Sequence, residues 1–338
     1  MRRREFISLF PAATATAMAL PEARAQSANK TYRVVIIAPT GQFGDTTGRD
    51  PWTRLADAFV DGLKGLGYTD GRTVRVEGYS AEGDPQRIED IATRVLRDPV
   101  DVIVAAGGGA NEVTTTLKRL TRTVPIVMAN SSDPVEQGLV ASLARPGGNI
   151  TGFAGNTGPE FEAKRLQLLR EVAPGATRLA YLGLKIDWES PAGVGVRAAA
   201  AELGMAIVHA EHVASNYTDA FAVLGRERPQ GLFVARNPRN FSNRQSITEL
   251  AAGFPMVAVY PTREFTEIGG LMSYGPLLTD LYRRVAGHVD KILRGAKPAE
   301  MPVEQPTKFE LLINLKTATK LGIAIPPLVL IRADEVIE

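Results

Sequence analysis

Short apolar runs alternate with longer stretches in which apolar residues recur every three or four positions. The runs at residues 34–38, 74–79, 102–106, 126–129 and 150–153 predict strands. Most are unbroken rather than alternating, which points to burial on both faces, as in a parallel sheet. Residues 52–66 carry apolar side chains at 52, 55, 56, 59, 63 and 66, one face of a helix. Asp84 before Pro85 predicts the next helix start, with an aspartate cap and proline in the first turn. A third helix is expected over residues 111–120.

The rhythm then repeats. Strands are predicted at 179–183, 206–209, 232–235, 256–259 and 271–273, and helices at 160–172, 191–203 (behind a Ser190 cap), 218–225 and 241–252. A long helix follows at 277–293, then a proline-rich tail with a strand (308–313) and a short helix (315–321). Two successive sets of β/α units predict an α/β fold of two doubly wound, Rossmann-like lobes. A tail after the second lobe lets the chain cross between lobes more than once.

Residues 1–25 stand outside this pattern. A basic start (Arg2, Arg3, Arg4), an apolar stretch at 7–20 and Ala23-Arg24-Ala25 predict a secretory signal peptide cleaved after Ala25. Arg3-Arg4-Glu5-Phe6-Ile7 resembles a twin-arginine signal, although Sec signals share arginine-rich starts. The apolar stretch is 14 residues long and contains Pro11, short for a membrane span. The expected location is the periplasm.

The signal also biases the charge. The chain holds 39 basic and 37 acidic residues; without residues 1–25 the counts are 35 and 35. A neutral chain argues against a nucleic-acid partner. The absence of cysteine excludes disulfides, thiolate chemistry and lipid attachment through cysteine.

Catalytic and cofactor motifs fail. Gly107-Gly108-Gly109 follows a strand and opens a helix, but Glu112 stands where a dinucleotide fingerprint needs glycine. Neither a phosphate-binding P-loop nor a G-x-S-x-G elbow is present. His209, His212 and His288 are expected at surface or edge positions, without a metal. We therefore expect no cofactor, no catalytic residue and no enzyme. A mechanism built on Asp and Glu alone stays open, without a motif behind it.

Doubly wound sheets bind ligands beyond the carboxyl ends of their strands. In the first lobe that rule selects Gly41, Gln42 and Phe43, then Gly108, Gly109 and Asn111, then Asn130, Ser131 and Asp133. In the second it selects Asp187 and Trp188, Arg236, Tyr260 and Tyr274. Polar groups mixed with isolated aromatics suit a small-molecule clamp. Asp133 or Asp187 suits an ammonium, and Ser131, Ser132 and helix-start N–H groups suit a carboxylate. Arg236, Arg239 and Arg263 equally suit a dianion. The same residue types also serve as ordinary caps and turns.

"SSDPVEQGLVASLARPGGNITGF", "GGLMSYGP" and "PVEQPTKFELLINLKTATKLGIAIPP" together resemble the ABC transporter substrate-binding protein family that includes tryptophan- and tyrosine-type binding proteins. The resemblance runs from Tyr32 to Glu338. It implies a type I periplasmic binding protein fold, with three crossovers forming a hinge near residues 153–156, 273–276 and 304–307. Lobe one would comprise 31–153 plus 276–304, and lobe two 154–275 plus 305–338. It also implies a monomer that captures a small organic ligand, an amino acid or related carboxylate. The ligand would pass to an ABC permease driven by a separate ATPase subunit, the permease being the only link to the membrane. A ligand-sensing subunit of a membrane receptor would share these features. Two departures from the family stand out: residues 107–111 replace a G-T/S-x-x-A-like loop, and Asn130-Ser131 stand where relatives often have Val or Thr before S-D-P. Both face the expected cleft, so the ligand is expected to differ from an aromatic amino acid.

Overall fold

The apolar runs form two separate sheets in the computed structural model, which describes residues 30–41, 51–107, 110–155, 159–213 and 215–338. The first lobe is built from β1 (Tyr32–Ala38), α1 (Pro51–Gly65), β2 (Val74–Ser80), α2 (Pro85–Val95), β3 (Val102–Ala105), α3 (Ala110–Leu120), β4 (Ile126–Ser131) and β5 (Ile150–Ala154). Its five strands are all parallel, in the order β2-β1-β3-β4-β5. Val34 to Ala38 of β1 and all of β3 are buried, as their unbroken apolarity requires.

The chain then builds α4 (Pro159–Val172), β6 (Arg178–Gly183), α5 (Lys185–Glu189), α6 (Pro191–Glu202), β7 (Ala206–Glu211), α7 (Thr218–Glu227) and β8 (Gly231–Val234). There follow α8 (Pro238–Ser242), α9 (Arg244–Ala251), β9 (Val257–Tyr260), α10 (Arg263–Glu267), β10 (Met272–Pro276) and α11 (Leu278–Leu293). The tail adds β11 (Phe309–Asn314), α12 (Leu315–Leu321), α13 (Pro327–Leu330) and β12 (Glu335–Ile337). The second sheet runs β12-β11-β10-β9-β8-β6-β7. It is parallel except where β10 meets β11. Because β11 enters from the opposite side, it must run against β10.

Between the sheets three chain segments lie side by side. Ala154 N–H donates to Glu304 O (2.8 Å) and Glu304 N–H to Gly152 O (2.9 Å). Leu277 N–H donates to Lys308 O (3.0 Å). Each lobe packs a core on both faces of its sheet. In the first lobe, the face of α1 carrying Leu55, Phe59 and Leu63 is closed by α11 through Leu281, Val285 and Val289.

Local signals held where the capping chemistry was explicit. Asp84 accepts from Gln86 N–H (2.9 Å), and Ser190 from Gly193 N–H (3.1 Å), each ahead of a proline in the first turn. The predicted helix over 241–252 is instead two pieces, α8 and α9, broken at Asn243. Asn237 starts the first piece early by accepting from Asn240 N–H (2.7 Å). Residues 185–188, expected as a loop, form the single turn of α5, because Asp187 folds back to accept from Leu184 N–H (2.8 Å). His212 and His288 are buried rather than at the surface: His212 lies beside Tyr217, and His288 packs on Phe153 at 4.8 Å. Among the described residues no helix is long and apolar enough to cross a membrane, and no cluster of metal-ligating side chains occurs.

Candidate functional site

The carboxyl ends of the strands in the two lobes face each other across a cleft. Its larger part is a chamber of about 330 Å3 with walls from both lobes. Ser132 and Asp133 contribute from the first lobe, and Glu162, Tyr181, Asp187 and Arg236 from the second. A narrower recess of about 40 Å3 adjoins it, sharing Ser132, Arg236 and Asn237.

The recess is narrow because Trp52, in the first turn of α1, fills it. Its indole meets Phe241 from the other lobe edge-on at 5.9 Å. The ring lies close against two glycine backbones. An added Cβ on Gly41 would stand 1.7 Å from Trp52 Cδ1, and one on Gly107 2.1 Å from Cη2. Both glycines also have positive φ, +99° and +85°, where other residues are strained. Tyr282 fixes the Gly107 turn by accepting its N–H at 2.9 Å.

Arg236 lies where both parts of the cleft meet. It follows β8 by two residues, at the carboxyl end of the sheet. At the first crossover it converges with Asn130 on Gly155. A Cβ there would stand 1.8 Å from Asn130 Oδ1 and 3.2 Å from Arg236 Nη1. Arg236 Nε is buried and has no hydrogen-bond partner. Burial pushes its pKa down; Glu162 and Asp133 oppose that shift, while Arg165 adds to it. A guanidinium held this way is poised to take an anionic oxygen.

Carboxylates ring the chamber. Asp187 Oδ2 accepts from Leu184 N–H and from Asn237 Nδ2 (2.6 Å), and burial raises its pKa against those two bonds. Glu162 is 5% exposed and accepts from Arg165 Nη1 at 2.7 Å. Arg165, fully buried, also donates to Val234 O (2.8 Å) and Val259 O (3.3 Å), tying α4 to the ends of β8 and β9. Asp133 holds φ at +44°, a left-handed conformation that few residues other than glycine tolerate.

The expected site residues divide accordingly. Asn111, Asn130, Asp133, Asp187 and Arg236 line the cleft, and Gly41 backs the Trp52 ring beside it. Ser131 supports it through Asn111. Ser131 Oγ donates to Asn111 Oδ1 (2.5 Å), which also accepts from Ser132 N–H (2.9 Å), while Asn111 Nδ2 donates to Ser132 O (2.7 Å). Ser131 is fully buried, so its hydroxyl sets the loop's shape. Gln42, Phe43, Gly108 and Gly109 lie outside the described residues.

Three aromatic residues expected at the cleft are turned away from its walls. Trp188 stacks on His209 at 4.7 Å beneath the Arg197 guanidinium. Tyr260 is 1% exposed and stacks on Phe265. Tyr274 stacks on Phe161 and Phe309 beside the crossovers. Each packs against ring partners within its own lobe. Two of the arginines matched to a dianion are elsewhere too. Arg263 is taken up by Glu267, Glu310 and Glu335, and Arg239 is exposed.

Sequence reasoning missed Trp52, Glu162, Tyr181 and Phe241 as wall residues. Trp52 read as a core position on an amphipathic helix. Its place in the first turn, directly after a strand-end loop, was the signal.

Across the rim opposite the chamber, Arg54 of α1 pairs with Glu267 (2.8 Å) and Glu264 (3.4 Å) of α10. Thr40 and Ser242 also meet between lobes, at 3.2 Å.

Comparison with known proteins agrees with this architecture. The solved structure of a conserved domain protein from Vibrio cholerae superposes with a TM-score of 0.79 at 24% identity, covering 91% of this chain and 100% of that one. An ABC domain in complex with L-Trp from Streptococcus pneumoniae gives 0.78 at 22% identity, with the same coverage. Both share the two-lobed fold of type I periplasmic binding proteins. A tyrosine-binding protein of Clostridioides difficile is 31% identical over 121 residues, 36% of this chain. That match spans a third of the relative's length (33%). Residues 49–337 match the family described as ABC transporter substrate binding protein, and the chain belongs to that family.

Proposed function

We propose that this protein is the solute-capture subunit of an ABC importer. Exported to the periplasm by residues 1–25, it would take up an amino acid or related small carboxylate between its lobes. Closure about the three crossovers would trap the ligand and present both lobes to a membrane permease. The observation that carries this reading is Arg236, an arginine whose buried Nε lacks a partner where the two lobes and the first crossover meet. A ligand carboxylate would supply that partner. The chamber volume supports the reading, since small-molecule sites begin at about 300 Å3. So does the chemistry of the relatives, one named for tyrosine and one solved with L-Trp. The protein acts on this view as a carrier and leaves its ligand unchanged.

The test is isothermal titration of the purified chain against a panel of amino acids and small carboxylates, with Arg236→Met alongside. Saturable binding of one ligand per chain, lost in the variant, is expected. Turnover of any panel member, or binding untouched by Arg236→Met, refutes the proposal.

A further inference from the structure

We infer that the cleft selects a cationic amino acid, its carboxylate on Arg236 and its side-chain cation among the chamber's carboxylates, rather than an aromatic one. This rests on the capture reading above and narrows its ligand class.

Two independent observations lead there. The first is the resident ring. The recess between the lobes is already filled by Trp52 against Phe241, seated on Gly41 and Gly107. What remains is about 40 Å3, room for a few waters at about 10–15 Å3 each. An indole or phenol from a ligand has no place there unless Trp52 leaves. The open space is the chamber, and its aromatic wall residues, Tyr181 and Phe233, are packed together in the core beneath it.

The second is the sign of the charge. Glu112, Asp133, Glu162 and Asp187 line the chamber, against Arg236 alone on its wall and Arg165 behind it. Arg165 is committed to Glu162 and two carbonyls. The donors to Asp187 among the described residues are neutral, Leu184 N–H and Asn237 Nδ2, with His209 exerting a weaker electrostatic pull. Among the described residues, no lysine or arginine lies within ion-pair distance of Asp187 or Glu112. A neutral zwitterion leaves that negative excess buried on closure. An added ammonium or guanidinium offsets it. Burial already raises the Asp187 pKa, and a nearby cation would bring it back down.

The experiment titrates the full chain with L-arginine, L-lysine and L-ornithine, and with L-tryptophan, L-tyrosine, L-leucine and L-glutamate. Asp187→Asn and Glu112→Gln are measured beside the wild type, the second because Asp187 also caps α5 while Glu112 is exposed at the rim. Expected is tightest binding of a basic amino acid, weakened by salt and lowered about tenfold in at least one variant. Tighter binding of L-tryptophan, L-tyrosine, L-leucine or L-glutamate overturns the inference and leaves the capture reading standing. Basic amino-acid binding unchanged by salt and by both variants also overturns it. No binding by any of the seven overturns the inference, and the wider panel of small carboxylates then decides the capture reading.

Discussion

Arg165→Met removes a cation that has no contact with solvent and holds three acceptors. Its loss strands the Glu162 carboxylate, itself 5% exposed, and deprives Val234 O and Val259 O of a donor. Breaking a buried ion pair from one side costs about 3–5 kcal/mol, and each orphaned carbonyl about 1 kcal/mol more. Methionine keeps the packing of the stem over Phe233, where the guanidinium sits 4.2 Å from the ring centroid, and Glu162 can relax by taking a proton. The expected loss is therefore about 4 kcal/mol. Urea denaturation followed by circular dichroism reads it directly, and a fall in Tm of about 10 °C should accompany it. Adding Glu162→Gln removes the stranded charge and should recover all but about 1–2 kcal/mol. Affinity should suffer in the single variant as well, since Val234 and Val259 lie at the carboxyl ends of the strands that lead to Arg236 and Thr262. A loss below about 1 kcal/mol in Arg165→Met, or no recovery in the double variant, would refute the reasoning.

Gly107→Ala puts a Cβ 2.1 Å from the Trp52 ring at a φ of +85°, so overpacking and backbone strain add. We expect a loss of about 2–4 kcal/mol in denaturant melts and a red shift of indole fluorescence as Trp52 is pushed out. Glu310, 8% exposed, is pushed up to about 7 by burial, with Arg263 opposing and Glu264 adding to the shift. Its folded pKa lies above the ordinary 4.5, so its contribution is complete below that value and is lost as pH rises through about 7. Stability should fall by about 3 kcal/mol between those limits, a slope that Glu310→Gln flattens in melts at stepped pH. Arg54→Ala cuts the rim contact to Glu264 and Glu267. Arg54 is 37% exposed, so screening limits the loss to about 1 kcal/mol, read as a larger radius of gyration in solution scattering without ligand.

Periodicity carried far into the fold because buried parallel strands leave an unmistakable trace. Val34 to Ala38 and Val102 to Ala105 read as two-sided strands and are so. Helix starts were legible where cap and proline coincide, at Asp84-Pro85 and Ser190-Pro191. The single-turn helices were not, since α5 and α10 exist through contacts such as Asp187 with Leu184 N–H rather than through any repeat. Choosing loops by strand end found Asn130, Asp133, Asp187 and Arg236. The aromatic residues defeated that rule: Trp188, Tyr260 and Tyr274 occupy similar positions in sequence, yet stacking partners from distant segments draw their rings inward. Trp52 went the other way, a helix residue that serves as cleft wall because two glycines leave space for it.

The position of α11 makes the two lobes interdependent during synthesis. β1 to β5 are complete early, but the helix that covers Leu55, Phe59 and Leu63 lies beyond nearly the whole second lobe in the sequence. Until α11 arrives, α1 alone covers one face of the first sheet, and its own apolar stripe lies open. The second lobe in turn waits for β11 and β12, its last two strands. A fragment ending after β10 would thus expose the amino-terminal half, although every strand of that half is present. Proteolysis of a truncated chain should therefore reach the amino-terminal half as well as the newest strands. The crossovers that join the lobes thereby oblige both halves to mature together.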